Sequence, residues 1–150
     1  MEKLKNTRWL ALIGLILCFL GNTLPYLIYT MPYAKITIKT KLCTYWEGKI
    51  IFILILANLL FIFKDYVKKY MPKLFDSNMG KWILNADSKL TFLPTLGIAL
   101  FAIWIFPNID MNWNIVKYGI GFYALWLGII LLVIHQFIYR PTKESENKGN

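Results

Sequence analysis

Acidic and redox-active side chains are scarce in this sequence. Its 150 residues hold 8 Asp and Glu against 17 Lys and Arg, with a single His and 2 Cys. Two cysteines with no C-x-x-C spacing exclude a disulfide scaffold and a cysteine-based zinc site. No glycine-rich phosphate loop and no nucleophile elbow occurs, which removes the nucleotide-binding and hydrolase classes that such motifs mark. Charged residues make up 17% of the chain, against about 25% in a typical soluble domain. That shortage excludes a disordered chain and an ordinary soluble enzyme.

What fills the chain instead is apolar: 57% hydrophobic and 17% aromatic residues, with a mean hydropathy of +0.49. The net charge of +9 raises the possibility of nucleic-acid binding. The charges, however, lie between long apolar runs, where membrane-flanking charges belong, so no nucleic-acid partner is expected. About 20 helical residues cross roughly 30 Å of hydrocarbon. Four segments meet or approach that length, at about 9–30, 45–63, 90–106 and 115–139. The expected fold is an all-α membrane protein: one domain over 1–150, built as a four-transmembrane-helix bundle, multi-pass in the cell membrane. The basic stretch Lys3, Lys5, Arg8 before the first segment also fits a signal peptide. The apolar run is long for one, and no A-x-A-like site follows, so the segment reads as a retained span.

Sorting Lys and Arg by connection gives about twelve on the side of the N-terminus and five (Lys35, Lys39, Lys41, Lys49, Lys117) on the other. By the positive-inside rule both termini face the cytoplasm. Trp9, Trp46, Phe106, Trp113 and Tyr139 fall at the expected interfaces, where amphipathic rings sit.

The connections differ in character. In the outer segment, Lys35, Thr37, Lys39 and Lys41 alternate with Ile36, Ile38, Thr40 and Leu42. A two-residue period is the mark of an amphipathic strand, so a short extended, β-like segment is expected between helices 1 and 2. A lone strand cannot satisfy its edges. It must lie on the helices, pair with another outer segment or accept a strand from a partner. The inner connection, 64–89, carries a helical period at Val67, Met71, Leu74 and Phe75, although Pro72 bends or ends that helix. Its Trp82-Ile83-Leu84 patch suits a lipid interface. The tail 141–150, PTKESENKGN, has nothing large and apolar to bury.

Candidate chemistry is thin. Asn58, Thr95 and His135 are polar residues in three apolar segments, counted to similar depths, and form a possible intramembrane polar cluster. Interhelical hydrogen bonding accounts for such residues, and an ion or proton relay is the sharper reading. No Asp or Glu lies in the core of any apolar segment to serve as a relay partner. Glu47 and Asp110 are the only outer acids, and nothing in their spacing brings them together for acid–base work. Gly14, Cys18 and Asn22, and likewise Gly121, Ala124 and Gly128, align small residues on one helix face, a packing signal. No cofactor and no metal site is expected.

The stretches FLGNTLPYLIY, YWEGKIIFILILANLLFIF and VKYGIGFYALWLGII give the chain a layout that resembles small four-span bacterial membrane proteins of unknown function. That resemblance implies a bundle fold and supplies no catalytic residues. The functional expectation is a non-enzymatic interaction or accessory protein of the bacterial cytoplasmic membrane. It would be an immunity-type self-protection protein or a complex subunit. Lys35, Lys39, Lys41 and Trp46 are its possible contacts to a protein partner or toxin on the outer face. A small transporter or channel subunit, acting as a homo-oligomer, is the alternative.

Overall fold

The apolar run that opens at Trp9 does not stay helical. In a computed structural model of the chain, which describes residues 2–31, 33, 36–85, 92–105 and 116–138, helix α1 (Glu2–Thr23) ends and strand β1 (Pro25–Met31) follows at once. The sequence explains the break. Pro25 has no N–H to continue the helix and disfavours helical backbone at Leu24 before it. The Leu24 N–H closes the last turn on the Leu20 carbonyl at 2.8 Å. The Thr23 hydroxyl donates back to the Phe19 and Leu20 carbonyls. Tyr-Leu-Ile-Tyr-Thr, rich in aromatic and β-branched residues, then suits a strand.

Strand β2 (Ile36–Lys41) returns antiparallel to β1. A 3-10 turn at Leu42–Thr44 leads into α2 (Trp46–Ile62). Helix α3 (Lys64–Tyr70), a 3-10 turn at Pro72–Phe75 and α4 (Asn78–Asn85) come next, followed by α5 (Leu93–Ile105). Pro72 opens its 3-10 turn where α3 has ended, and the Ser77 side chain caps α4 by accepting the Gly80 N–H at 3.0 Å. Strand β3 (Val116–Tyr118) joins β1 on its other side before α6 (Ile120–Ile138) closes the described chain. The sheet order is β2-β1-β3.

Helix α1 packs antiparallel along α6 through facing glycines. A Cβ on Gly128 would lie 2.7 Å from both Sγ and the backbone nitrogen of Cys18, and one on Gly21 would meet the Leu125 backbone. The small-residue faces of the two helices therefore meet each other. The core joins Ala11, Leu15 and Cys18 of α1 to Ile51 and Ile55 of α2, Ile98 and Ala102 of α5, and Leu125, Ile129 and Leu132 of α6. Tyr26, Leu27, Leu42 and Val116 close one end of it. The spacing of three and four along each helix is that of a single buried stripe. The opposite faces are not polar: Ile13, Phe19, Phe52, Leu100, Ile103, Leu127, Ile130 and Phe137 are all exposed.

This architecture corrects the expected four-span, all-α bundle and the multi-pass localisation built on it. The described residues form six helices and a three-stranded antiparallel sheet. Among the described residues one helix, α6 with 19 residues, is long and apolar enough to cross a membrane. The first expected span loses its last third to the break at Leu24 and β1. Helix α2 has 17 residues and carries Glu47 in its first turn. Helix α5 has 13 residues, a rise of about 20 Å. The N-in, C-in orientation rested on the same four spans and falls with them. Hydropathy counts apolar residues without distinguishing a buried strand from a helix, and that is the physical origin of the error. Lys35, the 107–114 turn with Asp110, and the 141–150 tail lie outside the described residues.

Candidate interaction surface

The sheet caps the end of the helices at which α1 stops and α2 and α6 begin. Its register sorts the side chains into two faces. Leu27 pairs with Thr40 on one side and Tyr118 on the other, and Tyr29 pairs with Ile38 and Val116. Leu27 and Val116 are buried, and Tyr29 and Tyr118 pack against the core, so these rows face inward. Ile28, one residue out of phase, pairs with Lys39 of β2 and Lys117 of β3. Alternation puts this row on the outward face, with Thr30 and Thr37 continuing it.

Two exposed cations thus flank one half-buried isoleucine. At about 4.8 Å between neighbouring strands, their backbones stand about 10 Å apart. Lys41 is exposed at the end of β2, opposite Pro25, where a bulge shifts the register. No strand of the sheet contains an acidic residue. Trp46 opens α2 at the same end, 59% exposed, with its ring edge-on to Phe101 at 6.2 Å. Of the contacts expected from sequence, Lys39, Lys41 and Trp46 therefore share one end of the molecule. Sequence reasoning counted Lys117 among the outer cations but did not place it among the contacts. Its only local signal is the apolar–cation–aromatic alternation Val116-Lys117-Tyr118, too short to read as a strand.

Beneath the sheet, polar atoms tie the cap to the helices. Asn22, fully buried near the end of α1, donates its Nδ2 to the Gly48 carbonyl at 2.9 Å. Gly48 has no room for a side chain, since a Cβ would run into the Leu42 carbonyl. Gly119, between β3 and α6, donates its N–H to the Tyr26 carbonyl at 2.8 Å, and a Cβ there would collide with the Pro25 carbonyl. Tyr26 is the residue at the bulge. Its ring meets Phe122 edge-on at 5.4 Å, while Tyr118 stacks on Phe122 at 4.1 Å. Burial pushes the Tyr26 hydroxyl up to about 12, with Tyr118 adding to the rise and the Trp126 indole opposing it. Among the described residues, neither the Tyr26 hydroxyl nor the Trp126 indole nitrogen reaches a partner at hydrogen-bond geometry.

The polar residues of the apolar helices sit elsewhere. Asn58 of α2 donates its Nδ2 to the Thr95 hydroxyl of α5 at 2.7 Å, with both side chains fully buried. His135 is buried on α6. The structure thus joins two members of the expected cluster directly through one bond. Glu47 lies in the first turn of α2, where the helix dipole favours a carboxylate. Cys18 is buried and Cys43 half-buried, and neither is in a disulfide. Among the described residues no group of three or more His, Cys, Asp or Glu side chains could hold a metal ion. No protein-family model, no curated protein and no solved structure matches this chain.

Proposed function

We propose that this chain is a non-enzymatic interaction protein. In this reading α6 anchors the chain in a bilayer and the sheet-capped end meets a protein partner. Self-protection against a membrane-active toxin and accessory service in a larger complex are both compatible with this arrangement. One observation favours the lipid environment: α6 is long and apolar enough to cross a bilayer. Exposed apolar side chains such as Ile13, Phe52, Leu100 and Ile130 fit contacts with lipid or with protein. The observation that carries the partner surface is the row Lys39–Ile28–Lys117. It gathers like charges on the outward face of a sheet that contains no acid to neutralise them, so an anionic partner gains from both cations at once.

Site-specific photo-crosslinking in native membranes tests the reading. A photoreactive residue at Thr37, on the outward face, should give a discrete protein adduct. The adduct should disappear when Lys39, Lys41 and Lys117 are all replaced by Ser in a chain that still partitions into membranes. The same probe at Ile130, on the exposed face of α6, should label lipid. Lipid-only labelling at Thr37, or an adduct indifferent to the lysines, defeats the proposal.

A further inference from the structure

The partner's own conformation can be read from the open side of β2. In the order β2-β1-β3, strand β2 has β1 on one side and no strand on the other among the described residues. Every residue from Ile36 to Lys41 is exposed except the half-buried Thr40. On the inward-phase face, Ile36 and Ile38 are 52% and 45% exposed, because no neighbouring strand flanks them. The outward-phase face carries Thr37, Lys39 and Lys41. An edge of this kind offers a row of unpaired backbone donors and acceptors that another strand can satisfy.

Resting on the interaction reading above, we infer that β2 accepts a fourth strand from the partner: an extended segment of about six residues that alternates acidic with β-branched apolar side chains. The acidic positions face Lys39 and Lys41, and the apolar positions cover Ile36 and Ile38. Opposite charges directly across a strand pair attract, and like charges repel. This argument disfavours a second copy of the chain as the occupant. Antiparallel self-pairing centred on Lys39 sets lysine against lysine. Shifting by one residue sets Lys39 against Ile38 and puts each strand's cations on the other's apolar face. The lysines that guard the edge against self-association are thus the groups that admit an acidic strand.

The test uses the full chain in nanodiscs of zwitterionic lipid and two capped hexapeptides, one alternating Glu and Val and the other Lys and Val. Hydrogen exchange of the β2 amides is read while each peptide is titrated to millimolar concentration. The Glu/Val peptide should slow β2 exchange at least about tenfold, and the Lys/Val peptide should leave it unchanged. In a Lys39→Glu, Lys41→Glu variant the preference should reverse, so the variant reports its own folding by binding the opposite peptide. Equal protection by both peptides, or none from either, overturns the inference. Protection of β2 by vesicles of anionic phosphatidylglycerol but not by the Glu/Val peptide also overturns it and assigns the edge to lipid headgroups. A lysine-dependent protein adduct at Thr37 without peptide protection sinks strand addition alone. Loss of both results sinks the interaction reading as well.

Discussion

Lys39 and Lys117 both pair with Ile28, one from each side of the central strand. The fold has therefore placed two cations on one surface although neither gains from the other. Replacing Lys39 by Thr should leave stability unchanged or raise it by up to about 0.5 kcal/mol at low salt. Any gain should vanish near 1 M salt, where screening reaches about 3 Å. Chemical denaturation in a neutral detergent at the two salt concentrations measures this. A loss above about 1 kcal/mol would show that Lys39 holds the sheet together rather than waiting for a partner.

The contact of α1 with α6 leaves no space at Gly128, where a Cβ would sit 2.7 Å from Cys18 Sγ. Gly128→Ala should destabilise the chain by about 1–3 kcal/mol, the usual range for overpacking a close contact. Alanine is otherwise the better helix former, so an unchanged or raised melting temperature would contradict the packing. A partial return of stability with the added change Cys18→Gly would locate the strain.

Asn58 and Thr95 share a 2.7 Å hydrogen bond with no exposure to solvent. Thr95→Val should cost about 1–3 kcal/mol, because the Asn58 amide keeps its desolvation penalty without a partner. The paired change Asn58→Leu with Thr95→Val should cost less than the sum of the single changes. A double-mutant cycle measures the coupling. Additive losses would mean that the two side chains do not bond. Flux assays on the same variants bear on the transporter alternative, which requires the buried polar pair for more than stability.

Tyr26 gives the pH dependence its sign. Its folded value of about 12 lies above the ordinary 10.0, so the folded chain keeps a proton that the unfolded chain loses. The stabilising difference is whole below about pH 10 and is lost as pH rises toward about 12, at a total of about 3 kcal/mol. Denaturation of the parent chain and of Tyr26→Phe at about pH 9 and about pH 11 isolates the term from lysine titration. The parent should lose more stability than the variant between the two. Parallel losses would mean that the hydroxyl is hydrated.

How much of this was legible in sequence depends on the range of the signal. The strand at Ile36–Lys41 carries its own two-residue period, and the small faces of Gly14 with Cys18 and of Gly121 with Gly128 carry a helical one. Such local periodicities survive folding and can be read directly. The break at Pro25 is also local, yet the continuing run Tyr26-Leu27-Ile28-Tyr29 keeps hydropathy high and conceals the change from helix to strand. Pairing is nonlocal. Nothing in Val116-Lys117-Tyr118 announces that this triplet joins β1, so the approach of Lys117 to Lys39 is invisible until the register is known. The Tyr26–Phe122–Tyr118 cluster is hidden for the same reason, since its rings come from a strand, a helix and a second strand.

The distance between Lys39 and Lys117 tests the central claim most directly, because the proposed surface exists only if β3 lies beside β1. Spin labels at Lys39→Cys and Lys117→Cys, with Cys18 and Cys43 replaced by Ser, report it in lipid nanodiscs. Backbones two strands apart are separated by about 10 Å, so strong dipolar broadening of the continuous-wave spectrum is the expected result. A separation beyond about 20 Å, further than two strands of one sheet can hold residues paired to a common neighbour, would contradict the account.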